Sequence, residues 1–271
     1  MKRKLLIVIS CIAIAMTSMS MFSFANTSEG KTISDVTELK KAIVKRAEGG
    51  VLTNSEKREL LQMTEDVVVE EFISEKLDEA VRLINKNSGE ISMQQEPNGI
   101  AYSNQRYDLG DACELVIEFS DRAEEQNDTS LLLLPPVLRS TSGSQNLWKE
   151  YGNRYFTAKA TVNTAVGNIS LTLENHYALS ANGITARYGT PGNSSTSTRV
   201  AISSKKPVIS KSGASKVGSS IGIYGDFNVV ISNNGTKKSA YRIQTEVECI
   251  SIDKAAEKIK VGQSWNLSKI S

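Results

Sequence analysis

Apolar positions recur at two different periods along this chain. Near the N-terminal side the period is helical. In "SDVTELKKAIVKRAEGG", Val36, Leu39 and Ile43 fall on one face, Ser34 or Asp35 offers a cap with Glu38 beyond it, and Gly49-Gly50 stops the helix. The stretch "TNSEKRELLQMTEDVVVEEFISEKLDEAVRLINKNSG" reads as a second helix capped near Asn54 or Ser55. Its Val69, Ile73, Leu77, Ala80 and Ile84 form one stripe.

Beyond residue 105 the period becomes two. "DACELVIEFS" alternates Cys113, Leu115, Ile117 and Phe119 against Glu114 and Glu118. "RYFTAKATV" alternates Phe156, Ala158, Ala160 and Val162 against polar partners. In "NISLTLENHYALSANGITARYG", an Asn182-Gly183 turn predicts Leu179 opposite Ala186 and Tyr177 opposite Tyr188, all facing inward. His176, the chain's one histidine, then falls on the wet face with Ser170, Thr172 and Glu174. A surface histidine keeps an ordinary pKa, which argues against a catalytic role. In "DFNVVISNNGTKKSAYRIQTEVECISI" a three-residue loop, Asn233 to Gly235, sets Phe227 opposite Tyr241 and brings Ile243, Val247 and Cys249 to the same inward parity.

The expected fold class is α+β: an N-terminal helical segment followed by an antiparallel β-sandwich, or an open barrel, of about seven or more strands. The expected boundaries are a signal peptide at 1–25, an acidic helical region at 30–88, a linker at 89–105, a basic β domain at 106–252 and a polar tail at 253–271. Lys2, Arg3 and Lys4, the apolar run from Leu5, and "SFA" ending at Ala25 carry the signal-peptide reading, with export to the extracellular space. No later run approaches the ~20 apolar residues that cross a bilayer. The texture resembles that of small secreted proteins of Gram-positive bacteria, with no motif that fixes a family.

Charge divides the chain. Residues 26–136 hold 12 Lys/Arg against 23 Asp/Glu, a net of −11, and residues 137–271 hold 17 against 7, a net of +10. Such asymmetry points to partners rather than to a fold. Two partners suit it: the acidic helical segment itself, docked intramolecularly, and an anionic extracellular polymer, glycan or lipid headgroup. The contact residues expected on the basic face are Arg199, Lys205, Lys206, Lys211, Lys216, Lys237 and Lys238. Few aromatics interleave with them, so nucleic-acid stacking is not favoured. Cys113 and Cys249, at inward parity on separate strands, form a disulfide candidate in an oxidising compartment.

Chemistry-bearing motifs are sparse. G-x-x-x-x-G-K-[ST], H-E-x-x-H, G-x-S-x-G and C-x-x-C are all absent, so no catalytic residue, metal site or cofactor is assigned. Glu246 with Glu248, and Glu114 with Glu118, are the acid pairs a hydrolase would need, though alternating solvent faces produce that spacing constantly. "DLGD" at Asp108 to Asp111 and "EEQND" at Glu124 to Asp128 are weak calcium candidates. The leading expectation is a secreted, non-enzymatic binding protein. The alternatives are a β-rich membrane-active toxin, in which residues 200–224 insert as an amphipathic hairpin, and a hydrolase using paired carboxylates.

Overall fold

The computed structural model describes residues 32–48, 52–86, 93–95, 100–124, 147–231 and 237–270, with the backbone alone at Gln95 and Lys237. The signal peptide, the "LLLL" run at 131–134, most of "EEQND" and the Asn233 to Gly235 turn lie outside the described residues.

Among the described residues three helices precede the strands. Helix α1 (Val36–Ala47) is capped by Asp35, whose side chain accepts from the Glu38 amide at 3.1 Å, and it buries Leu39 and Ile43. Helix α2 (Asn54–Met63) is capped by Thr53, one residue earlier than expected, in a reciprocal box with Glu56. Helix α3 (Asp66–Lys86) buries the whole expected stripe, Val69, Ile73, Leu77, Ala80 and Ile84. The single long helix expected from residue 53 onward is broken at Thr64. There Ile33 pairs in parallel with the chain, donating to the Met63 carbonyl at 2.7 Å and accepting from the Glu65 amide at 3.0 Å. A tertiary bridge from a distant residue replaces one helical turn, which local periodicity cannot reveal.

The rest is antiparallel sheet. One sheet is formed by β1 (Gln94–Gln95), β2 (Ala101–Asp108), β3 (Glu114–Ala123), β5 (Gly152–Thr164), β6 (Gly167–Ser180), β7 (Gly183–Ser195) and β10 (Gly213–Ala214), in the order β1-β2-β3-β5-β6-β7-β10. The other runs β4-β13-β12-β11-β8, from β4 (Leu147–Glu150), β13 (Lys258–Lys269), β12 (Lys237–Asp253), β11 (Ser220–Ile231) and β8 (Val200–Ser204), with β9 (Val208–Lys211) also pairing β11. The fold is therefore α+β with two antiparallel sheets. Inward residues of both sheets and the buried faces of all three helices belong to one hydrophobic cluster. Residues Ile33 to Ser271 form one compact unit.

Three expectations at this level are corrected. The stretch 101–105, expected as linker, is the start of β2; its mostly polar, half-exposed residues hide the strand. Residues 258–269, expected as tail, form β13, a strand flanked on both sides by β12 and β4. Ile259, Val261 and Leu267 point inward between basic and polar neighbours, so composition masks the alternation. Trp265 packs edge-on against Phe119 of the opposite sheet at 5.2 Å. Cys113 and Cys249 are both buried and both free, so the candidate disulfide is not formed. Cys113 closes the β2–β3 turn, while Cys249 pairs Val261 in the other sheet.

The second hairpin follows expectation: Phe227 faces Tyr241, and Tyr241, Ile243, Val247 and Cys249 are buried. The first does not. Ser180 pairs Gly183, so the loop residues are Ala181 and Asn182. Gly183 takes φ 108°, and a Cβ there would run into the Ala214 carbonyl. Leu179 faces Ile184 and Tyr177 faces Ala186; a bulge between His176 and Tyr177 then turns Tyr188 to the outer face opposite His176.

The helices are locked to the sheets by charge as well as by packing. Lys76 of α3 is buried and donates to the Leu109 carbonyl at 2.5 Å, with Asp111 at 3.0 Å and Glu79 at 3.2 Å. The receiving turn holds three successive left-handed residues, Gly110, Asp111 and Ala112. Burial pulls the Lys76 ammonium toward neutrality, but its two carboxylate partners more than offset this and keep it charged. Lys269 pairs Asp78 at 2.8 Å in a more exposed setting. Lys76→Ala should cost about 1–3 kcal/mol, because it strands the buried Leu109 carbonyl and takes the ammonium from two partly exposed carboxylates. Lys269→Ala should cost less than about 1 kcal/mol. Urea unfolding of the two variants checks this, and equal midpoints would refute the assignment.

Candidate functional site

Three side-chain ensembles carry the chemistry of the described residues. The first is buried. Asp121, at the end of β3, is fully enclosed. Its Oδ1 accepts from Arg154 Nε at 2.8 Å and lies 2.6 Å from Arg154 Nη2, with Lys149 Nζ at 3.5 Å. Its Oδ2 accepts from the Tyr177 hydroxyl and from Gln263 Nε2. Asp121, Arg154 and Tyr177 belong to one sheet, and Lys149 and Gln263 to the other, so the carboxylate ties the sheets together. Burial alone would raise its pKa; Arg154, Lys149 and the Tyr177 hydroxyl hold it below the ordinary value instead. Burial pulls the Lys149 ammonium down, aided by Arg154, against the attraction of Asp121. Burial beside Asp121 pushes the Tyr177 phenol far up, so it remains a donor. The arrangement holds two cations to one carboxylate and serves cohesion.

The second ensemble is a transverse row on the outer face of β3, β5, β6 and β7. Arg122 faces Tyr155, Tyr155 faces His176, and His176 faces Tyr188. The Arg122 guanidinium lies 5.0 Å from the Tyr155 ring centre. Tyr155 meets His176 edge-on at 4.3 Å, and Tyr188 stacks on His176 at 3.9 Å. His176 Nε2 contacts Glu174 Oε1 at 2.7 Å and Thr190 Oγ1 at 3.2 Å. His176 is on the expected face but is buried there, beneath rings that the bulge brings over it. Burial draws its pKa down, against Glu174. Its Nδ1 has no partner among the described residues.

The third ensemble is the expected basic face, which the fold divides. Arg199 turns to the helices: it donates to the Leu61 and Thr64 carbonyls at 3.0 and 3.2 Å and pairs Asp66 at 3.0 Å. Lys205, Lys206, Lys211 and Lys216 lie along the exposed edge made by β8, β9 and the turn before β11. Lys211 pairs Glu246 at 2.9 Å. Lys205, Lys206 and Lys216 have no carboxylate at ion-pair distance among the described residues. Exposed Val208, Ile209 and Val217 lie between them. Gly218, at φ 81°, completes the turn that raises Lys216 and Val217, with Ser219 Oγ donating to the Lys216 carbonyl at 2.5 Å. Lys238 pairs Val230, eight positions along β11 from the partner of Lys211, about 26 Å away at ~3.3 Å per residue. The Lys237 side chain lies outside the described residues.

Of the four carboxylates in the acid pairs, three have close partners. Glu246 is held by Lys211, Ser220 and Gln244, Glu114 by Arg106 and Asn163, and Glu118 by Lys159. Asp108 accepts from the Gly110 amide and Asp111 from Lys76, so the "DLGD" carboxylates serve the turn. Among the described residues no group of three or more His, Cys, Asp or Glu gathers in a metal-binding arrangement. No described helix is long and apolar enough to cross a membrane. Burial pushes the Cys113 thiol up to about 11, which makes it a poor nucleophile. Comparison with protein-family models, curated proteins and solved structures finds no match to this chain.

Because the Asp121 carboxyl is held low, its stabilisation is complete above the unfolded-state value of ~3.9 and is lost as pH falls through the folded value. Asp121→Asn should cost about 3–5 kcal/mol near neutrality and flatten the acid side of the stability profile. Lys149→Met removes the surplus buried cation and should lie within ~1 kcal/mol of the parent or above it. Urea unfolding from neutral to acid pH reads both; a tolerated Asp121→Asn would remove the carboxylate from its central place.

Proposed function

We propose that this protein is exported by its N-terminal signal peptide and acts as a non-enzymatic extracellular binding protein. In this reading the two sheets stack as a sandwich, and the basic edge from Lys205 to Lys216 meets an anionic polymer, an acidic glycan or a lipid headgroup. The observation that carries it is the largely exposed run from Ser203 to Lys216, in which Lys205, Lys206 and Lys216 are exposed and have no carboxylate at ion-pair distance among the described residues, Lys205 feeling Asp226 only at longer range. Lysines and a proline also guard an open strand edge against self-pairing. The placement of Lys216 on a raised turn, off the edge strand itself, goes beyond that duty. The acidic helical segment engages Arg199 through Asp66.

A second reading, a membrane-active toxin, draws on the same run. Val208, Ile209 and Val217 stand exposed beside the lysines, and β9 pairs β11 through only three residues with an irregular register.

The full mature chain should bind a soluble polyanion such as polyphosphate, with affinity falling as salt rises. Charge reversal at Lys205, Lys206 and Lys216 should weaken binding by at least about tenfold, ~1.4 kcal/mol. Isothermal titration at two salt concentrations measures this, and unchanged affinity in the triple variant would refute the edge as the contact. Dye release from phosphatidylglycerol vesicles separates the toxin reading, which requires leakage where simple binding gives none.

A further inference from the structure

The aromatic row on the outer face of the first sheet has features that a purely cohesive cluster lacks. Tyr188 keeps 44% of its surface exposed although one ring face is stacked on His176. Its neighbour Arg187 is also exposed, and its guanidinium is held by Glu124 at 2.8 Å. The Arg187 guanidinium lies over the Tyr188 ring at 5.8 Å from its centre, so a planar cation and an aromatic face are presented together. Thr190 is exposed two residues on, with its hydroxyl at His176 Nε2. The proton that joins Nε2 to Glu174 leaves Nδ1 as a buried acceptor with no described partner. An exposed ring is thus held rigid from below and rimmed by planar, pre-oriented hydrogen-bonding groups.

The charges limit what such a surface accepts. Arg122 and Arg187 are matched by Glu174 and Glu124, so the row carries no net charge. An anion gains nothing from it. A wholly apolar partner would strip water from Arg187 and Glu124 without replacing their hydrogen bonds, which is costly. A sugar ring presents an apolar C–H face suited to an aromatic plane and a belt of hydroxyls suited to guanidinium, carboxylate and threonine. The row crosses four strands, about 14 Å at ~4.8 Å spacing, which suits a chain of several sugar rings rather than one.

We propose that the Arg122–Tyr155–His176–Tyr188 row is a binding platform for a neutral polysaccharide, with the exposed face of Tyr188 as its stacking surface and Arg187, Glu124 and Thr190 as its hydroxyl contacts. The site adjoins the basic edge, since Gly189 packs against Pro207, but its proposed contacts use none of the edge lysines. The ring stack fixes the platform in advance, so little side-chain freedom is lost on binding.

Native affinity electrophoresis of the full mature chain through gels containing hydroxyethylcellulose, laminarin, galactomannan or mannan tests the proposal. At least one polysaccharide should retard the protein, and the retardation should persist at raised salt and in the Lys205→Glu/Lys206→Glu variant. Tyr188→Ala should weaken it at least fivefold in a chain that still unfolds cooperatively; Tyr188→Phe should preserve it, and Arg187→Ala should weaken it while keeping the parental unfolding midpoint. Migration unchanged by all four polysaccharides overturns the proposal. So does retardation that survives Tyr188→Ala, or retardation that salt abolishes, which would assign it to the lysine edge.

Discussion

A carboxylate with no access to water has to be matched from several directions at once, and Asp121 meets that demand by recruiting both sheets. Arg154 and Tyr177 reach it from neighbouring strands of its own sheet, Lys149 and Gln263 from the other. Displacing the sheets would leave ionised groups buried without partners, at a cost that apolar slippage alone does not impose. The hydrophobic cluster gives the fold its driving force, and the Asp121 network selects one arrangement among those that bury the same residues. Asn175 bonded to Thr245 at 3.2 Å adds a smaller link between sheets.

That division of labour has a consequence for function. The strongest electrostatics of the molecule lie in the interior and at the helix–sheet contacts of Lys76 and Arg199. Among the described residues, two outer features stand open to partners. One is an open edge with lysines and small apolar side chains; the other is a rigid, charge-balanced aromatic row.

The sequence was informative where a single pattern decides the outcome. The α3 stripe and the Phe227–Tyr241 register follow from periodicity and turn length alone. It misled where distant residues intervene. Asp121 sits in "EFSDRAEE", whose acidity reads as solvent; only Arg154, 33 residues on, and Lys149 make it an interior group. The bulge at His176 shifts one strand by a residue against its partner, so Tyr188 faces outward against the alternation and the aromatic row is not legible in the sequence. The signal that could have found it was the co-occurrence of Tyr155, His176 and Tyr188 near strand ends that pair. β13 was hidden by lysines alternating with Ile259 and Val261. The basic face is legible as a composition but not as a surface, because Arg199 turns to the helices and Lys238 lies on β12, away from the β8–β9 edge.

Hydrogen exchange of the full mature chain, with and without polyphosphate, tests most directly the claim that the interior holds the sheets together while the surface binds. The account predicts that amides of β3, β5, β6, β12 and β13 exchange slowest and through one common opening, that residues 203–219 exchange fast, and that polyphosphate slows only that segment. Slow exchange confined to one sheet while the other opens independently would contradict it. So would polyphosphate protection centred on the strands around Asp121.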